Sequence, residues 1–328
     1  MPLPFLFWIV NSYLFFFYIT NLKLNDMFVD FNKQIETIHK IRTGEIKTGL
    51  KLGISELDTH FVLKPSDLNL FLGHANVGKT SLVLFMMLCY SVRHNSKWLI
   101  YSSENEPYEL IRKLLEYLIE EPINKIIPND FNNGIAFIKE HFKFISNERL
   151  YTYKELIDVA EKAKIGFKYD GFLIDPYNSL AKDRETSKAL GMHEYDYEVL
   201  SQFRMFCQRN KVSLWLCAHA NTEALRRVYK APHEYQGYPM VCESSSIEGG
   251  GKFVNRCDSF AVVHRFIQHP TEFMYSFLHI KKIKSIETGG RCTSLDAPVK
   301  MRALINNVGY SINNESIVKI LKRANAPF

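Results

Sequence analysis

The eight residues Gly73-His-Ala-Asn-Val-Gly78-Lys79-Thr80 constrain this chain more than any other feature. They follow a continuous apolar run, Leu68 to Leu72, and precede an apolar helical stretch that opens at Ser81. The two glycines let a loop wind tightly enough for its backbone N–H groups to face an anion at the helix N-terminus. Lys79 then supplies a point charge to β- and γ-phosphates, and Thr80 a hydroxyl for Mg²⁺. The pattern G-x-x-x-x-G-K-[ST], set between a buried strand and a helix, predicts a nucleoside triphosphate site. Its binding residues are Gly73, Asn76, Val77, Gly78, Lys79, Thr80 and Ser81.

A phosphate loop of this kind sits at the edge of a mainly parallel sheet, and the remaining sequence supplies one. The runs Leu68 to Leu72, Trp98 to Tyr101, Phe172 to Ile174, Val212 to Ala218 and Ser259 to Val263 are continuously apolar, as suits strands buried on both faces. Helical stretches alternate with them at Thr80 to Val92, Pro107 to Glu120, Tyr153 to Lys164 and Glu198 to Arg209. Strand and helix in alternation make the class α/β. From Phe273 onward the sequence is strand-rich with Gly turns, which predicts antiparallel strands at the C-terminal edge of the sheet.

Three of the predicted strands end in polar residues. Phe172-Leu-Ile-Asp175 places a carboxylate where it holds Mg²⁺ or else caps the following turn. Tyr101-Ser-Ser-Glu104 offers a carboxylate to activate a water, while Asn105 and Glu106 compete as caps for the next helix. Leu214 to His219 ends in an imidazole that either satisfies a local hydrogen bond or senses a γ-phosphate.

In this order and spacing these elements resemble the RecA-like motor domain of hexameric replicative helicases of the DnaB and Twinkle kind, over roughly Ile46 to the C-terminus. TGLKLGISELDTHF looks like the entry to that domain, YSSENEP like its Ser-x-Glu strand end, and LIDPYNSL and LWLCAHANTE like its Twinkle-like and phage branch. SSSIEGGGKFVNRCDSFAVVHR resembles a family segment in which a small-residue loop and an aspartate, here Asp258, precede an apolar strand ending in His264-Arg265. The resemblance implies a RecA-like P-loop fold with helices on both faces of a twisted sheet, ATP and Mg²⁺ as ligand and cofactor, and single-stranded DNA as substrate. It makes Lys79, Glu104, Asp175 and His219 catalytic, with Glu104 the base, Asp175 the metal residue and His219 the γ-phosphate sensor. It also implies a ring of copies, a hexamer, with a separate primase or loader, because no primase, zinc-binding or collar domain precedes the motor. The strand LHIKKIKSIETGG matches the one that reaches a neighbour's ATP site: Lys282 fits the family lysine, but Lys284 stands where the family has an arginine finger. Lysine lacks the bidentate fork, so Lys284 acts as a weaker cation, Arg291 replaces it, or trans activation is feeble.

Two segments match DNA-facing loops of that family. One is Lys182 to Gly191, with Lys182, Arg184 and Lys188. The other is Arg226 to Gly251, with Arg226, Arg227 and Lys230 for phosphates and Tyr229, Tyr235 or Tyr238 for stacking. A solvated loop has the same composition. The net charge of +6 permits a polyanionic partner without demanding one. Six cysteines without a C-x-x-C pair point to free thiols and a reducing compartment.

The N-terminal part divides in two. Residues 1–26 begin with the aromatic, uncharged leader MPLPFLFWIVNSYLFFFYIT, whose apolar part would rise about 26 Å as a helix, marginal for a bilayer. It is either a membrane anchor or an extension ahead of a fold that starts near Met27, and both readings leave residues 47–328 in the cytoplasm. Residues 27–46 predict an amphipathic linker helix, with Phe31, Ile35, Ile38 and Ile41 on one stripe. A rival to the motor is a non-translocating, KaiC-like ATPase switch or loader acting on a protein partner.

Overall fold

The computed structural model of the protein describes residues 28–46, 48–247 and 250–325. The leader at 1–26 lies outside them, and among the described residues no helix is long and apolar enough to cross a membrane. The chain divides into two units, Met1–Thr48 and Gly49–Phe328. The first holds helix α1, Phe31–Arg42, within the expected linker. Asp30 caps it by accepting from the N–H groups of Asn32 and Lys33, and His39, Lys40 and Arg42 in its last turn complement the helix dipole. Phe31, Ile35, Ile38 and Ile41 are all exposed along it.

The second unit is built on ten strands: β1 Leu68–Gly73, β2 Trp98–Ser102, β3 Phe142–Phe144, β4 Gly171–Asp175, β5 Ser213–His219, β6 Ser259–His264, β7 Tyr275–Ile283, β8 Val299–Ala303, β9 Tyr310–Ile312 and β10 Glu315–Ser316. They form one sheet in the order β10-β9-β8-β7-β6-β1-β5-β4-β2-β3. Pairings from β3 through β6 are parallel, and those from β6 through β10 are antiparallel, as the strand-rich C-terminal sequence predicts.

The continuous apolar runs are explained by cover on both faces. Phe71, Leu173, Trp215 and Cys217 join one core with the helices Lys79–His94 and Pro107–Ile119. Their neighbours Leu70, Leu72, Ile174, Leu214 and Leu216 join a second core with the helices Tyr153–Gly166 and Arg184–Asn210. In the first core Trp98 and Trp215 meet edge to face, ring centroids 4.9 Å apart. A Cβ at Gly171 would lie 2.1 Å from the Trp98 ring, so the start of β4 is glycine because that indole fills the space.

Sequence and structure differ in the segment read as a first DNA loop. Lys182 to Gly191 is mostly helix: Asp183 accepts from Thr186 N–H as N-cap, Arg184 opens the helix, and Gly191 breaks it at φ 72° before it continues to Asn210. The loop expected here from the family resemblance is instead a capped helix start and a glycine kink. The helix expected at Glu198 therefore starts fourteen residues earlier, at Arg184. Helix Pro128–His141, strand β3 and the terminal helix Ile317–Asn325 are additional to the expected elements. All six cysteines are free, and only Cys292 is exposed.

Candidate functional site

Parallel register brings the polar strand ends together. Gly73 lies opposite His219 across β1 and β5, and Ser102 lies opposite Asp175 across β2 and β4. Residues far apart in the chain thereby share the carboxyl edge of the sheet, where open α/β folds bind ligands. The phosphate loop leaves β1 at Gly73, where a Cβ would sit 2.7 Å from the Val263 carbonyl oxygen, and enters its helix through Gly78 at φ 81°. Asn76 also takes a left-handed conformation and is exposed, while Val77 is buried. A side chain at Gly73 would push the loop off β6.

Lys79, 5 % exposed, places Nζ 3.3 Å from His219 Nδ1, and His219 Nε2 lies 3.0 Å from Glu104 Oε1. A lysine ammonium only donates, so Nδ1 accepts, and Nε2–H donates to the carboxylate. One imidazole thus spans the gap between the phosphate-loop lysine and the carboxylate at the end of β2. Its position is fixed from behind by Asn178, whose Oδ1 accepts from the His219 backbone N–H at 2.8 Å. Glu104 does not cap the following helix. Glu106 occupies that position, and Asn105 turns back to donate to Ser102 Oγ.

On the other side of Lys79, Thr80 Oγ1 donates to Asp175 Oδ2 at 2.6 Å. Asp175 is 1 % exposed, and its Oδ1 has no partner among the described residues. A fully buried carboxylate oxygen without a donor is costly unless something positive meets it. Together with the threonine hydroxyl this donor set fits Mg²⁺, which takes one or two protein oxygens and keeps its remaining waters. Behind Asp175, burial and that carboxylate push the Cys217 thiol up, so it stays protonated.

Beside the phosphate loop opens a cleft of about 410 Å³, lined by Asn76, Gly78, Ser81, Arg112, Lys113, Arg265, Asn306, Asn307 and Tyr310 among others. Lys113 Nζ donates to Ser81 Oγ at 2.8 Å, and burial lowers the Lys113 pKa. Beyond the phosphate loop itself, Arg265 is the lining residue that carries a sequence signal. Asn178 belongs to the motif LIDPYNSL, whereas Lys113 and the Asn306-Asn307 turn come to the site from elements that no local motif marks.

The other expected residues lie elsewhere. Lys282 Nζ donates to the carbonyls of Val254 (2.5 Å) and Cys257 (2.8 Å), tying down the end of helix Gly251–Arg256. Lys284 Nζ is 3.5 Å from Asp258 Oδ1 and half exposed. Both stand at the amino end of β1 and β6, the edge opposite the phosphate loop, since Ile283 pairs with Ser259. Arg226 pairs with Glu223 at 3.2 Å, while Arg227 and Lys230 are exposed. Tyr229 stacks on His233 and Tyr235 on Phe266, each with centroids 4.0 Å apart, and Tyr238 packs edge-on to Phe266. These tyrosines stiffen a hairpin of their own chain.

No family model matches the chain. The Twinkle homolog protein, chloroplastic/mitochondrial, of Arabidopsis thaliana is 26% identical over 251 residues, which cover 73% of this chain and 33% of that protein. The chain therefore spans about a third of the length of the curated relative it matches. Among solved structures, an isolated ATPase domain superposes with a TM-score of 0.65 at 14% identity, over 87% of this chain and 99% of that one. A DnaB-like replicative helicase, described with its interactions with primase, gives 0.62 at 13% identity over 86% and 66%. With the strand order, the phosphate loop and the polar strand ends in place, Gly49–Phe328 has the fold of these helicase ATPase domains and is similar in sequence to the Twinkle homolog protein.

Proposed function

We propose that this chain is an ATP-hydrolysing motor that translocates on single-stranded DNA and acts as a replicative DNA helicase. The observation that carries the reading is the continuous line Glu104–His219–Lys79, flanked by Thr80–Asp175. It supplies in one place what phosphoryl transfer to water needs. Lys79 and the loop N–H groups bind the β- and γ-phosphates. Thr80 and Asp175 would hold Mg²⁺, which when bound offsets phosphate charge. Glu104 orients the attacking water and takes its proton. His219 holds Glu104 in place and loses or gains a neighbour as the γ-phosphate leaves. The cleft lined by Arg265 and Tyr310 receives the nucleoside.

Ring assembly follows from the same reading. The exposed stripe of α1 is an apolar face suited to a second copy, and Lys284 stands on the edge that a neighbouring phosphate loop would face. The DnaB-like relative is described with primase, and a primase or loader is the corresponding partner here. Kinship with the Twinkle homolog over 73% of the chain favours the motor over the switch. Strand displacement on a forked DNA duplex tests the proposal: ATP-dependent unwinding, lost in Glu104→Gln, is expected. ATP turnover with no unwinding and no effect of DNA on turnover would reject it.

A further inference from the structure

The phosphate loop is tied down at a second point, away from the hydrolytic line. His74, directly after Gly73, is 4 % exposed. Its Nε2 lies 3.1 Å from the carbonyl oxygen of Met240 and 3.3 Å from Cys242 Sγ. A carbonyl only accepts, so Nε2 carries the proton and donates. Nδ1 has no partner among the described residues. Next to it stands His264, with ring centroids 6.2 Å apart, and neither His264 nitrogen has a partner among those residues.

Met240 closes a stiff hairpin. Its N–H donates to Arg227 O at 2.8 Å, Tyr229 N–H donates to Tyr238 O at 3.0 Å, and the Tyr229–His233 and Tyr235–Phe266 stacks pack it. Gly73 packs closely against β6, where a Cβ would lie 2.7 Å from the Val263 carbonyl oxygen. Adjustment of the loop to phosphates therefore falls on the residues from His74 to Val77. A backbone shift at His74 either carries Met240 with it or breaks the hydrogen bond of a buried imidazole, at the cost of leaving both groups unpaired.

We propose that His74 is a positioning residue that couples filling of the phosphate loop to the placement of the hairpin at 227–240. The inference rests on the nucleotide reading of Gly73–Thr80 and deepens it. It gives the motor a route from ATP to the basic segment Arg226–Gly251 that bypasses His219, and it stands whether or not that segment meets DNA.

Amide hydrogen exchange on the full chain, with and without Mg²⁺ and a non-hydrolysable ATP analogue, tests it. In the wild type the analogue is expected to slow exchange both at the start of helix Lys79–His94 and at residues 236–243, the latter about fivefold or more. His74→Phe keeps the bulk and removes the donor. It is expected to retain protection of the helix start and lose it at 236–243, and His74→Gln to restore it. Tyr235→Ala, outside the phosphate loop, removes the hairpin's stacked contact with Phe266 and by reciprocity weakens analogue binding about fivefold. A protected helix start with an unresponsive hairpin in the wild type, wild-type behaviour in His74→Phe, or unchanged affinity in Tyr235→Ala would each overturn the coupling. A wild type in which the helix start itself gains no protection would overturn the nucleotide reading, and the coupling with it.

Discussion

The two edges of the central sheet both carry charged groups and treat them in opposite ways. At the carboxyl edge Asp175 keeps a buried oxygen without a partner among the described residues, and Glu104 stands half exposed on a single imidazole. At the amino edge Asp258 accepts from Leu68 N–H at 3.0 Å and from Arg204 at 2.7 Å with Lys284 nearby, and Lys282 is spent on carbonyls. One edge has donor and acceptor capacity left for a ligand, whereas the other uses its charges to close the fold and leaves Lys284 reaching outward. In the proposed ring, the first edge would be a site complete in one chain and the second a contribution that a neighbour would complete.

Loss of Lys79 has the largest expected effect. Lys79→Ala removes the charge from the phosphate loop, and ATP turnover should fall to background, about a thousandfold, in a coupled phosphate-release assay. Glu104→Gln comes next: turnover drops about a hundredfold or more while equilibrium binding of a fluorescent ATP analogue is retained. Full turnover in Glu104→Gln would take that residue out of the chemistry. At the amino edge Lys284→Ala should lower turnover only about tenfold, as an exposed point charge warrants. Mixing Lys284→Ala with Lys79→Ala subunits should then recover activity, because mixed interfaces pair one intact loop with one intact lysine. No recovery would place Lys284 outside any neighbour's site.

The edges also differ in how pH acts on stability, which is read separately from turnover. Burial lowers His264 to about 3 and His279 to about 4. The unfolded chain therefore binds more protons below about pH 6.5, and stability falls as pH drops from there towards those values. Each histidine should remove about 2 kcal/mol by pH 5. Asp67, at the amino edge, is raised to about 6 by burial first, and by Asp258. Its sign is reversed: the contribution is full below pH 3.8 and is lost as pH rises through 6. Thermal melts should show Asp67→Asn stabilised by about 3 kcal/mol at pH 7.5, and His264→Leu with a shallower decline between pH 6.5 and 5.

The division between legible and illegible residues follows from distance along the chain. Gly73 to Thr80 is readable because the chemistry is local: one loop, one strand before it and one helix after it. Asp175, Glu104 and His219 are readable as polar ends of apolar runs, although only register shows that His219 bridges Glu104 to the phosphate-loop lysine. Asn178 lies in the quoted motif LIDPYNSL, although only the fold shows that it holds the His219 backbone; His74, Lys113 and Asn306 act through partners 32 to 166 positions away or in a fold-built cleft, and no spacing rule reaches their roles. The helical start at Arg184 is open to reading from its Asp183 cap three residues before Thr186. Basic composition obscures it. The tyrosines at 229, 235 and 238 show the same hazard, since aromatic residues in a basic loop stack on each other as readily as on a base.

Translocation on DNA is tested by ATP turnover of the full chain, with and without single-stranded DNA, across a salt series and beside Lys79→Ala. Strong stimulation by DNA that fades as salt rises is expected, with a log–log slope of about −0.7 per phosphate contacted, and none in the Lys79 variant. Turnover that ignores DNA at every salt concentration, or that survives Lys79→Ala, would contradict it.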